Sequence, residues 1–318
     1  MTESNEPQFP QNMAEAQGAE KTPKVSRQQR QQNIRKELAE IAQKGSDNLS
    51  LGEIERDAAR REELTQELLQ LEQMLKPMEI SREDLRLSQT MYDQLGLKIN
   101  GSPINLEQEL SQKNILFPAK EQQELAEKEG LTQILIIPGQ IKRQDFLKYF
   151  KGENYQNNFD CNDLHIIDPA PKDLTKSEAI KNPKRPKQFY AILVSPQISC
   201  HTAHPETQGQ PAQQCMDILT QKQTINPNLN LTGLTLEEYL LLDCLIYLKD
   251  NQKQHLEPKT WCWLLEEGVL ENNSLARCLG AAFYPDARSV EVDGVDSGDF
   301  SNSSSADGAR FAAVSRPR

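Results

Sequence analysis

Residues 281–314 read AAFYPDARSVEVDGVDSGDFSNSSSADGARFAAV, and the interpretation of this stretch decides the fold. From Tyr284 to Asp307 it is dense in Ser and Asp, the composition of a surface loop. Yet Val290, Val292 and Val295 are interleaved with the polar residues, and the run leads straight into the apolar GARFAAV. RSVEVDG alternates as a half-buried strand does. The stretch is also filtered by residue type. Residues 1–279 contain 89 Lys, Glu, Gln, Met or Trp, and residues 280–318 contain one, Glu291. At the upstream frequency about twelve would be expected. A template codon AAC or AAT whose adenines are replaced freely, with its last base fixed, encodes Asn, Asp, Ser, Gly, Ala, Val, Phe, Tyr and Arg among others. It never encodes Lys, Glu, Gln, Met, Trp or a stop. Every residue from Tyr284 to Asp307 except Glu291 belongs to the permitted set.

Working outward from that run, TWCWLLEEG reads as a strand, LENNSLARCLG as a loop and FYP as a further strand. Trp261 and Trp263 lie two apart, so they face the same side of the strand, and their apolar context favours core packing. LTGLTLEEYLLLDCLIYLKD begins with a capping box at Thr235 and Glu238, and its apolar positions cover most of the helix surface, which predicts a buried helix. QFYAILVSPQI suits a strand, followed by a polar excursion rich in Gln, Pro and His.

Residues 78–187 predict a small mixed α/β region with a linker. ISREDLRLSQTMYDQLG is helical with Ser81 as N-cap, NG at 100–101 is a turn, Asn105 starts another helical turn, and AKEQQELAEKEG is a helix stopped by Gly130. TQILIIPG suits a buried strand and QDFLKYF a short helix; Gly152–Lys187, dense in Asn, Asp, Pro and Lys, reads as a loop or linker. Residues 1–24 lack hydrophobic periodicity and predict a disordered tail. Residues 25–77 predict a helical hairpin or coiled coil. Ile34, Leu38 and Ile41 mark one helix, GSDN the turn, Ser50 and Glu53 a capping box, and Leu64, Leu68, Leu71 and Leu75 a narrow seam ending at Pro77. That seam packs on the next domain or on a second copy of the chain.

Taken whole, the 318 residues carry a formal net charge of −11, which argues against a general nucleic-acid binder. No apolar run approaches the ~20 residues that span a bilayer, and the polar N-terminus is unlike a signal peptide, so a cytoplasmic protein is expected. The six cysteines read as reduced and mostly buried. Cys200, His201, His204 and Cys215 form the densest cluster of soft ligands, but their spacing matches no common zinc arrangement. The Asp-rich DGVDSGD lacks the alternate ligands and terminal Glu of an EF-hand loop, so no metal and no cofactor is assigned. Phosphate-cradling and nucleophile-elbow motifs are absent, and none of the four His lies near an obvious nucleophile, so no catalytic residue is assigned.

The order LTLEEYLLLDCLIYL, HLEPKTWCWLLEEG, AAFYPDARSVEV, diversified run and GARFAAV resembles the variable proteins of diversity-generating retroelements. The resemblance covers roughly residues 190–318 and implies an α+β chain ending in a C-type-lectin-like domain, residues 188–318, of the formylglycine-generating-enzyme type. Its hypervariable segment, about 284–307, would be rewritten by adenine-directed mutagenic reverse transcription. The implied ligand-facing positions are Tyr284, Ala287, Ser289, Asp293, Val295, Asp296, Asp299, Ser301, Asn302, Ser304, Ser305 and Asp307. Phe300 would add an apolar anchor to Tyr284. The implied fixed scaffold is Trp261, Trp263, Pro285, Val290, Val292, Gly308, Arg310 and Phe311, with Arg310 supporting the last strand. Such a protein is not an enzyme, and its acidic face suits a partner protein with a basic patch. Two other readings remain open: a formylglycine-generating or sulfatase-modifying enzyme using Cys262 and Cys278, and a scaffold that homo-oligomerises through the N-terminal helices.

Overall fold

In the computed structural model, which describes residues 27–43, 51–166, 185–250, 253–258, 260–271, 274–296 and 307–314, the chain divides between Gln73 and Met74 into two units. The first contains helices α1 (Arg27–Gln43) and α2 (Leu51–Met74). Ile34, Ile41, Leu64 and Leu71 bury one another, with Leu38 and Leu68 packed alongside, so the leucine seam is engaged within the hairpin. Arg30 pairs with Glu67 at 2.6 Å and Glu37 with Arg60 at 2.8 Å, which fixes the antiparallel sense of the helices. These exposed pairs add little stability; the apolar seam carries the packing. The expected tail, the GSDN turn and the Ser50 cap lie outside the described residues.

In the second unit, α3 (Arg82–Leu95) starts at Ser81, whose hydroxyl accepts from Asp84 N, and stops at Gly96 with φ 69°. Strands β1 (Lys98–Ile99) and β2 (Ser102–Pro103) flank the Asn100-Gly101 turn, and both turn residues have positive φ, as a tight hairpin requires. Then follow α4 (Leu106–Ser111), capped by Asn105, β3 (Ile115–Leu116), α5 (Lys120–Lys128), β4 (Gln133–Pro138) and α6 (Arg143–Tyr149).

The Asn- and Asp-rich segment read as a linker differs from expectation. It forms α7 (Glu153–Asn158) and β5 (Asp163–Ile166) because Tyr155, Phe159, Cys161 and Leu164 supply buried apolar anchors among the polar residues. The linker residues 167–184 lie outside the described residues.

β6 (Phe189–Val194) is buried at all six positions, as is β4, consistent with their continuous apolar runs. The polar excursion after it is also more ordered than its composition suggests: it holds α8 (Cys200–Ala203) and α9 (Ala212–Ile225), whose Cys215 and Leu219 are buried. β7 (Leu231–Gly233) leads into α10 (Leu236–Lys249), where the Thr235/Glu238 capping box is formed and eleven of fourteen residues are buried. β8 (Trp261–Glu271) and β9 (Ser274–Tyr284) extend through the stretch read as a loop, which is the end of a long hairpin. β10 (Ser289–Asp296), β11 (Asp307–Ala309) and β12 (Phe311–Val314) complete the chain.

Two sheets result. One has the order β11-β8-β9-β10-β5, with β11 parallel to β8 and β5 parallel to β10; in the other, β6 pairs with β3, β4 and β12, and β12 with β7. Both the 78–187 region and the 188–318 region contribute strands to each sheet and side chains to one apolar core. The boundary expected near residue 187 therefore separates no compact units. Among the described residues no helix is long and apolar enough to cross a membrane.

Glu238 shows how α10 is fixed. It is fully buried, accepts from Thr235 N at 2.9 Å and Tyr190 Oη at 3.0 Å, and pairs with Arg185 at 2.7 Å. Glu238→Ala should lower the unfolding free energy by about 3–5 kcal/mol, because it strands a buried guanidinium; urea titration of the full chain measures the loss.

Candidate functional site

Strand register divides the residues of the β11-β8-β9-β10-β5 sheet between two faces. Cys262, Leu264, Leu279, Ala281, Phe283, Val290, Val292 and Leu164 point inward and are buried. The outward set is Trp261 and Trp263 on β8, Gly280, Ala282 and Tyr284 on β9, Ser289, Glu291 and Asp293 on β10, and Asp163 and His165 on β5. Exposure grades across this face. Trp263 and Ala282 are buried, Trp261, Tyr284, Glu291 and Asp293 half-buried, and Asp163 and His165 exposed.

The aromatic corner is built by a missing side chain. A Cβ on Gly280 would come within 2.9 Å of the Trp261 ring and 3.5 Å of the Trp263 ring, so the indoles lie over the bare backbone there. Trp261 meets Tyr284 edge-on at 6.2 Å, and Trp263 donates from Nε1 to the Gln210 carbonyl at 3.1 Å. Burial raises the Tyr284 phenol above its ordinary pKa, and the charges of Glu291 and Asp293 add to the effect.

Of the residues expected to face a ligand, Ala287 is exposed in the turn 285–288, Tyr284 and Asp293 are half-buried, and Ser289 is buried. Ser289 starts β10 opposite Tyr284 and alongside Asp163, so strands cover it on both sides, a pairing its sequence neighbours do not reveal. Val295 and Asp296 lie in β10 and Asp307 in β11; their side chains are outside the described set. Asp299, Phe300, Ser301, Asn302, Ser304 and Ser305 are outside the described residues altogether. Among the expected scaffold residues, Trp263, Val290, Val292, Gly308, Arg310 and Phe311 are buried; Trp261 is half-buried and Pro285 exposed at the turn.

That turn is held from below by the segment before β5. Asn162 N donates to Arg288 O at 2.5 Å, its Nδ2 donates to Ala287 O at 3.1 Å, and Arg288 pairs with Asp160. Arg288 itself has φ 49°.

Beneath the sheet two buried cations organise the chain. Arg310 is the single residue between β11 and β12, where the chain passes from one sheet to the other. Its Nε donates to Glu257 Oε1 at 2.5 Å, and its Nη2 to the carbonyls of Gln197 and Ile198 at 2.6 and 2.7 Å. Glu257 in turn accepts from Cys200 N at 2.8 Å, and its own backbone bonds Ile198 and Phe283. Burial works against the charge on Arg310, but Glu257, together with the neighbouring Cys262 and Cys200, leaves the pKa raised.

His255 is the second. Nδ1 lies 2.7 Å from Asp243 Oδ2 and Nε2 2.7 Å from the Phe159 carbonyl, while the ring stacks on Phe283 at 3.9 Å. Both nitrogens face acceptors, so both carry protons and the ring is an imidazolium. Burial opposes this, yet Asp243 and the Phe159 carbonyl raise the His255 pKa above its ordinary value. Sequence reading passed over Glu257 and His255; both sit in an unremarkable polar stretch, QKQHLEPK.

Cys200, His201, His204 and Cys215 do not converge. Cys200 and Cys215 are fully buried, Cys215 donates to the Gln210 carbonyl at 3.6 Å, and His204 packs on the Phe311 ring at 4.5 Å. Burial lowers the His204 pKa. Among the described residues no three His, Cys, Asp or Glu are placed to hold a metal ion. All six cysteines are buried thiols, and none is joined in a disulfide. Cys278 donates to the Leu264 carbonyl at 3.4 Å, and the Cys200 thiol is pushed up by its hydrogen bond with Cys262 and by burial, away from the thiolate a nucleophile needs. A polar cleft of about 220 Å³, lined by Glu109, Asn114, Gln140, Lys187, Gln188 and Phe189, lies beside the start of β6 and left no mark in the sequence. No known protein family, curated protein or solved structure matches the chain.

Arg310→Met should cost about 3–5 kcal/mol in denaturant titrations, because Glu257 is left buried and unpaired. The His255 contribution depends on pH with a definite sign. Its pKa is raised on folding, so its stabilisation is complete below the ordinary histidine value of about 6.5 and is lost as pH rises through the raised value. The stability difference between the wild type and His255→Gln should therefore shrink from about pH 6 to about pH 9; a constant difference would contradict the imidazolium assignment.

Proposed function

We propose that the chain is a non-enzymatic, diversified ligand-binding protein. On this reading its C-terminal domain is C-type-lectin-like and displays a hypervariable surface generated by adenine-directed mutagenic reverse transcription. The observation that carries the reading is the residue filter: one Lys, Glu, Gln, Met or Trp in residues 280–318 against 89 upstream. The separation of faces supports it. Val290 and Val292 are fully buried on one side of β10 while Glu291 and Asp293 are half-buried on the other. Exposed positions accept substitution at little cost in stability, so the outward side can be rewritten while the inward side holds the fold.

Tyr, Ser, Gly, Asn and Asp form the vocabulary of adaptable paratopes, where Tyr supplies contact area and small polar residues adapt their hydrogen bonds. The present copy is acidic, which suits a partner protein with a basic patch. The test is the coding DNA. A nearby reverse transcriptase gene and a near-duplicate repeat carrying AAC or AAT codons opposite 284–307 are expected. Third-base differences between the repeat and this run, or the absence of any repeat, would overturn the proposal.

A further inference from the structure

Glu291 is the one residue of the run 284–307 that the codon filter cannot write, and it faces outward from β10. Its strand position is opposite Ala282, which lies between Gly280 and Tyr284 on the same face. Trp261, a residue type equally outside the filter, stands on that face two strands from Glu291 with its ring edge-on to Tyr284 at 6.2 Å. Asp293 follows Glu291 on the same side. Both carboxylates and both rings are half-buried, and neither Glu291 nor Asp293 has an ion-pair partner among the described residues. His165 occupies the neighbouring position on β5 and is exposed.

We infer that Trp261 and Glu291 form a fixed docking point for an arginine side chain presented by a partner protein, with Tyr284 and Asp293 adding contacts in this copy. A guanidinium is the group whose chemistry fits: its plane packs against an indole or phenol ring, and its fork of donors engages a carboxylate bidentately. Gly280 and Ala282, themselves buried, lie between the aromatic corner and the β10 carboxylates, and those acids, without an ion-pair partner among the described residues, give the charge complementarity. An ammonium could take the charge but not the fork. The inference deepens the proposed function and rests on it for the use of this face as a binding surface. It adds a part that diversification leaves constant: Trp261 and Glu291 would capture the partner's arginine in every copy, while Tyr284, Ser289 and Asp293 vary around it.

The probe is a fluorescein-labelled tetra-arginine peptide, titrated with the full-length protein at about pH 7.5 and low salt and read by anisotropy, with tetra-lysine and tetra-glutamate peptides as controls. Saturable binding of the arginine peptide is expected, tighter than that of the lysine peptide. Glu291→Gln should weaken it about fivefold or more, and Trp261→Leu similarly. Glu83→Gln, which removes one exposed charge from α3, should change it less than about twofold. Glu291→Gln keeps the size and shape of the side chain, so it remains informative should Trp261→Leu fail to fold. No saturable binding, equal binding of the lysine peptide, or equal weakening by Glu83→Gln and Glu291→Gln would overturn the inference. A template repeat found beside a protein that ignores the peptide removes this docking point and leaves the diversified reading standing. Arginine-selective binding without a repeat removes the diversified reading and retains the docking chemistry.

Discussion

The buried pair of Arg310 and Glu257 is the constraint on which the second unit depends. Arg310 sits where the chain leaves one sheet and enters the other, so its position sets the relation of β11 to β12. The guanidinium also binds the carbonyls that follow β6, and Glu257 bonds the start of α8 and the backbone of Phe283 on β9. One ion pair thus gathers both sheets and the segment between them. Burying two charges is costly, and replacing such a pair by apolar residues is often neutral or stabilising. Its retention here is better understood as geometric. A guanidinium held by a carboxylate and two carbonyls permits one arrangement of four chain segments, whereas an apolar plug would permit many.

On the outward face of the β11-β8-β9-β10-β5 sheet, cohesion falls to the β8 and β9 side, where Trp263 and Ala282 are buried, while Glu291 and Asp293 of β10 are half-buried. The inward side of β8, β9 and β10 supplies Cys262, Phe283, Val290 and Val292 to the core, and the Phe283 ring is covered by His255. β10 is flanked by β5 as well as β9, so it is an interior strand held by backbone hydrogen bonds on both edges. Backbone bonds are indifferent to side-chain identity, which leaves the alternate side chains of β10 free to change. The 78–187 region therefore contributes directly to this sheet: its β5 closes the sheet edge, and Asn162 and Asp160 hold the turn at Ala287 and Arg288.

Much of the local structure was legible in the chain. Ser81, Asn105 and Thr235 cap the helices they precede, Asn100-Gly101 turns a hairpin, and the continuous runs at 133–138 and 189–194 are buried strands. Local physics decides such features, because a cap or turn needs only its neighbours. The misreadings share a different cause. In 152–166 and 200–225 sparse apolar residues such as Tyr155, Phe159, Leu164 and Leu219 make the decisive contacts with distant parts of the chain, and polar residues dilute their signal. The boundary near residue 187 failed for the same reason, since strand pairing across it carries no local mark. The partners of Arg310 and His255 were equally hidden, because Glu257 and Asp243 lie 53 and 12 residues away. In the candidate face, the residue filter was visible, but the approach of Trp261 to Tyr284 over Gly280 needed the register of three strands.

Charge shows how the frame and the face are kept apart. Arg310 and His255, both buried, are matched by Glu257 and Asp243 inside the same core, and the half-buried Arg185 by the buried Glu238. Each pair is close to neutral, so it projects little field across the sheet. The carboxylates of Glu291 and Asp293 belong to no such pair and face outward. Gaining or losing a charge at Asp293 therefore alters the potential of the face without uncovering an unpaired charge beneath it. A core whose buried charges were balanced by the face would not have this freedom, since each change outside would leave a cation uncompensated within. Internal neutrality is thus a condition for a surface whose charge can change without cost to the core, and these three pairs meet it.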